Sequence, residues 1–163
     1  MPQRDADQLE QEVEAILAGR GHYGTYAGGP TPMGQFAGEG ITWIGSPGIT
    51  ASVGAFIRGV RDRLAAGAIC VIPALRYSSE EGEGQHTFFY RVDLLGPAWR
   101  EEGLIVGGCT DYSGEGQHGK ELAEHYLTHV LGLPLATRPA SYLIELLVEA
   151  HMEGKGGATM PTT

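Results

Sequence analysis

A chain of 163 residues, 42% apolar and 19% charged, has the length and composition of one folded domain and lacks the apolar poverty of disordered chains. A formal charge of −9 with only two lysines leaves little to neutralise a phosphate backbone, which makes nucleic acid an unlikely partner. Cys70 and Cys109 form no secretory framework, the N-terminus lacks a basic stretch followed by an apolar one, and no apolar run approaches the ~18 residues of a membrane span; the expectation is a soluble, acidic, cytoplasmic protein without membrane contact.

In chain order, the first predicted helix runs from Ala6 to Ala18, capped by Asp5, with Leu9, Val13, Ile16 and Leu17 as its apolar stripe. The glycine-rich stretch to Gly48 contains two strand-like pieces, Gln35 to Ala37 and Ile41 to Ile44, which read as an irregular hairpin. Val53, Phe56, Ile57, Val60 and Leu64 then recur at helical spacing, predicting a helix over 50–65 that packs on a sheet. Ala68 to Tyr77 reads as a strand with its core at Ile69 to Ile72 and an edge or bulge at Pro73. His86 to Leu95 and Gly103 to Gly107 read as two further strands, joined tightly enough to form an antiparallel hairpin.

A helix from His118 to Leu131 follows, carrying Leu122, Tyr126, Leu127, Val130 and Leu131 on one side and stopped by Gly132. Pro139 suits the first turn of a last helix whose apolar face is Tyr142, Leu143, Leu146, Leu147 and Ala150. The order predicts an α+β fold: a three- to five-stranded, mainly antiparallel sheet packed against helices, in a single domain over 1–153 with a loose tail at 154–163.

One feature stands outside this frame. Gly82-Glu83-Gly84-Gln85-His86 recurs identically as Gly114-Glu115-Gly116-Gln117-His118, with a Tyr-Ser pair upstream of each, Tyr77-Ser78 before the first and Tyr112-Ser113 before the second. If strands 86–95 and 103–107 pair antiparallel, the start of the first lies beside the end of the second, and both copies meet at one end of the sheet. That end gathers Glu83, His86, Cys109, Asp111, Tyr112, Glu115, His118 and Lys120 on glycine-rich backbone. The plain reading is a pair of solvated turns; the functional one is a site on a rigid scaffold.

Three chemistries are open there. The two Glu-x-x-His pairs suggest a divalent metal, which is not favoured because Gly84 and Gly116 interrupt them and both segments read as loops. Gly114 to Lys120 fits G-x-x-x-x-G-K, but Glu121 replaces the magnesium-binding hydroxyl, leaving at most an anion site on Gly116, the amides near Gly119, and Lys120. Acid–base chemistry needs only His86 or His118 beside a carboxylate such as Glu115, with Glu83, Asp111 and Tyr112 as ligand contacts. Cys109 is the one nucleophile at hand, and a buried thiol is its commoner fate.

Elsewhere, His118, Glu121, His125 and His129 share one side of their helix and read as a wet polar stripe, while His22 to Pro30 combines aromatic rings with permissive backbone. Two functions fit. One is a small-molecule or anion-binding domain, with or without catalysis, whose site is at the repeated pentapeptides. The other is an assembly subunit, such as a ring or connector component of a homo-oligomer, acting through chain–chain contacts. No cofactor is identified.

Overall fold

The computed structural model describes residues 6–18, 41–44, 49–79, 86–111 and 114–143. The sheet strand with the strongest alternation is β4 (Thr87–Leu95), whose Phe88, Tyr90, Val92 and Leu94 are buried while the residues between them are half-buried. Period-two burial of this kind sets one face against a core. That face receives α2 (Ile49–Ala65) and α3 (Glu115–His125). Phe56, Ile57 and Val60 of α2 are fully buried in the same cluster as Tyr90, Val92, Leu104 and Val106. The helix α1 (Ala6–Leu17) buries Leu9, Val13 and Ile16 against α2 and α3, forming a third layer. Arg61 of α2 fastens its end by donating to the Leu17 carbonyl at 3.0 Å.

Along the sheet the order is β1 (Ile41–Ile44), β5 (Glu101–Thr110), β4, β3 (Ala74–Ser78) and β6 (Leu135–Pro139), with the short β2 (Ile69–Cys70) pairing the far end of β4. As expected, the strands around 69–78, 87–95 and 101–110 are antiparallel neighbours with β4 in the middle. The fold is α+β. The expectation of three to five mainly antiparallel strands is corrected: among the described residues six strands form a mixed sheet, because β1 runs parallel to β5 and β6 parallel to β3. Parallel partners are distant in sequence, so no turn between them announces the pairing. Of the expected hairpin, Gln35 to Ala37 lies outside the described residues.

Three further boundaries move for local reasons. The strand at 68–77 is interrupted at 71–73 around Pro73, and Ile69, Val71 and Ile72 are exposed instead of forming its core. The helix expected from His118 starts at Glu115, and its last turn widens over Tyr126–Val130, where Leu131 N–H bonds the Tyr126 carbonyl and Thr128 Oγ1 donates to the Glu124 carbonyl at 2.6 Å. That wide turn leaves Val130 partly exposed, off the apolar side expected for it. Pro139 closes β6 opposite Ser78 instead of opening a helix, which begins at Ala140; Leu143 packs on Tyr77 and Ile105 across the second sheet face, whereas Tyr142 is exposed. The rest of that helix and the tail at 154–163 lie outside the described residues. No helix among the described residues is long and apolar enough to cross a membrane.

Candidate functional site

Antiparallel pairing sets Thr87 opposite Thr110, so His86 and Asp111 face each other where the β4–β5 ladder ends. Asp111 holds His86 at two points: Oδ1 accepts from the His86 backbone N–H at 2.9 Å, and Oδ2 lies 2.8 Å from Nδ1. The His86 backbone N–H foremost, then the ring, keep the Asp111 carboxyl below its ordinary range. A carboxylate on Nδ1 fixes the proton there and leaves Nε2 as the basic nitrogen. Nε2 has no partner among the described residues, and the ring is about one-third exposed.

The His86 ring stacks on Phe88, centroids 6.1 Å apart. Two cations lie by the same phenyl ring: Arg76 Cζ at 5.4 Å and Lys120 Nζ at 5.5 Å from its centroid. Both are tied to Glu124, at 2.7 Å from Arg76 Nη1 and 3.5 Å from Lys120 Nζ. The Tyr90 hydroxyl also donates to Glu124, at 2.5 Å. Desolvation works against the Glu124 carboxylate, yet hydrogen bonds from Tyr90 and Arg76 and the nearby positive charges hold it below its ordinary range. Burial, then the Glu124 charge, pushes the Tyr90 phenol far above its usual value, which keeps it a neutral donor. Arg76 is further held by Thr137 Oγ1, which accepts from Nε and Nη2. Lys120 is therefore the less constrained cation of the pair.

The structure thus brings His86, Asp111 and Lys120 together and adds Arg76, Phe88, Tyr90 and Glu124, which the sequence reading passed over. Arg76 pairs with Tyr90 in the ladder and shares its helix-facing side. A charged residue at an inward position of an alternating strand was the available signal.

The second pentapeptide serves other ends. It is the first turn of α3 and not a loop, so Glu115 and His118 are helical residues. Glu115 Oε1 accepts from Thr50 N–H at 2.9 Å, satisfying an amide in the first turn of α2. Gly116 sits against Thr110, where a Cβ would collide with the hydroxyl; its missing side chain lets helix approach strand, not ligand. Gly119 is buried within α3, so its position is that of a helix interior and not of a phosphate-cradling loop. His118 Nε2 contacts the Glu12 carboxylate of α1, and His125 Nε2 lies 2.8 Å from Glu10. His118 and His125 thus face α1, and His125 is buried; the expected wet stripe is corrected to a helix–helix contact, with His129 stacked on His125.

Burial pushes the Cys109 thiol up to about 12, which removes it as a nucleophile at neutral pH. Glu83 and Tyr112 lie outside the described residues. Among the described residues, no group of three His, Cys, Asp or Glu side chains is arranged to hold a metal ion. Two cavities, of about 760 and about 430 Å³, open at the other end of the sheet around Leu94 to Gly103, and neither includes His86 or His118. No family model, curated protein or solved structure matches the chain.

Proposed function

We propose that the protein is a small-molecule-binding domain that takes an anionic ligand at the His86 end of the sheet, with His86 available for proton transfer to it. The observation that carries this reading is the two-point hold of Asp111 on His86, which leaves Nε2 unpartnered among the described residues on a partly exposed ring. Lys120 supplies fixed positive charge beside the phenyl ring on which His86 stacks. A general acid or base needs its proton-carrying atom within reach of the ligand and its other nitrogen fixed, and a carboxylate on Nδ1 does the second of these.

The test is an NMR titration of the full chain with inorganic phosphate, following the histidine ring resonances. The His86 signals should move and saturate, and Lys120→Ala and Asp111→Asn should each weaken the response about tenfold. Signals that stay still, or that move in both variants as they do in the unaltered protein, overturn the reading.

A second reading, assembly with further copies, is favoured by a different observation. Ile69 and Ile72 are 62% and 65% exposed, and Trp99 is 82% exposed on a hairpin tip where both Ala98 (φ 64°) and Trp99 (φ 63°) are left-handed. Such a conformation is unfavourable for residues with a Cβ, by about 1 to 2 kcal/mol each, and it holds the indole out in water. Light scattering on the eluting protein should then give a multiple of 17.3 kDa that falls to 17.3 kDa in the Ile69→Ser/Ile72→Ser/Trp99→Ser variant. A mass of 17.3 kDa at every concentration removes this reading.

A further inference from the structure

The second face of the sheet carries an ion pair in a trough lined by charged and apolar residues alike, at the end of β4 away from His86. Ladder pairing sets Ile41 beside Gly103 and Gly103 beside Asp93, and the Val71 N–H bonds the Asp93 carbonyl at 2.8 Å. Ile41, Gly103 and Asp93 therefore form one row across three strands, and Val71, just past the end of β2, continues it through its bond to Asp93. Gly103 lets the ion pair lie down over the middle of that row: a Cβ there would come within 2.7 Å of Asp93 Oδ1 and 3.5 Å of Arg91 Nε. Arg91, two residues before Asp93 on the same face, donates from Nε to Asp93 Oδ1 at 2.8 Å and from Nη1 to the Tyr77 hydroxyl at 3.3 Å. The trough of about 430 Å³ lies over this pair, walled by Ile41 and Val71 and rimmed by Glu101.

The bonding is incomplete in a directed way. Among the described residues Arg91 Nη2 and Asp93 Oδ2 have no partner, and the Arg91 side chain is only 19% exposed. A guanidinium donor and a carboxylate acceptor thus stand side by side beneath apolar walls, with a second carboxylate, Glu101, above them. The guanidinium matches a carboxylate, the two carboxylates match an ammonium group, and Ile41 and Val71 match a branched hydrocarbon. We propose that this trough binds a small zwitterionic amine of the α-amino acid class with an apolar side chain: its carboxylate on Arg91, its ammonium on Asp93 and Glu101, its side chain between Ile41 and Val71. The assignment is independent of the anion site at His86.

The test is calorimetric titration of the full chain with L-leucine, N-acetyl-L-leucine and L-leucinamide. Leucine should bind saturably, and each capped analogue, lacking one charge, should bind about ten- to a hundredfold more weakly. Arg91→Gln should reproduce the loss seen with leucinamide, and Asp93→Asn that seen with the acetylated form. Val71→Phe, which enters the trough from an exposed edge and leaves both charged residues in place, should abolish binding at an unchanged melting temperature. The proposal is overturned if leucine gives no saturable heat, if either capped analogue binds as well as leucine, or if folded Val71→Phe protein binds leucine undiminished.

Discussion

Replacing Phe56 by alanine should lower the unfolding free energy by about 3 to 5 kcal/mol, the range for removing a fully buried phenyl ring that its neighbours cannot close over. Phe56 has no exposed surface and belongs to the cluster shared by α2, α3 and the helix-facing side of the sheet. Arg61→Ala, on the same helix, should change stability by about 1 kcal/mol or less, because Arg61 offers only a partly exposed bond to the Leu17 carbonyl and an exposed contact with Asp62. Urea denaturation of the two variants decides this. Comparable losses mean that the buried side of α2 is not the one described.

Glu124→Gln should cost about 2 to 4 kcal/mol at neutral pH, since it removes the negative charge that Arg76, Lys120 and the Tyr90 hydroxyl share. The pH dependence carries the more specific signature. A carboxylate held below its ordinary range contributes stability above the unfolded value of about 4.3 and loses it as pH falls through the folded value. The gap between the unaltered protein and Glu124→Gln, measured by urea denaturation, should therefore be full at pH 6 to 7 and shrink below about pH 4. A gap that is constant down to pH 3 means that the charge of Glu124 contributes nothing.

Much of the candidate site was present in the sequence as residues but not as an arrangement. His86, Asp111 and Lys120 were legible because antiparallel geometry places the start of one hairpin strand beside the end of the other. The two identical pentapeptides nevertheless took different roles. The copy ending in His86 feeds a strand, whereas the copy beginning at Gly114 winds into a helix, turning Glu115 toward Thr50 and His118 toward Glu12. Identical residues meet different neighbours, and the neighbours decide their bonding.

What the sequence determined by itself is what short-range periodicity encodes: the apolar stripe of Leu9, Val13 and Ile16, the buried side of α2, the alternation of β4, and the α+β class that follows from their order. What only the tertiary structure decided is pairing between distant segments. Ile41–Ile44 was legible as a strand piece but not as a parallel neighbour of β5, and Leu135–Pro139 beside β3 was not legible as a strand at all; both places are set by backbone hydrogen bonds to partners roughly sixty residues away in sequence. The same holds for Glu124, an ordinary helix residue in sequence. It is a central charge in the fold because Arg76, Tyr90 and Lys120, on three separate elements, turn their donors toward it.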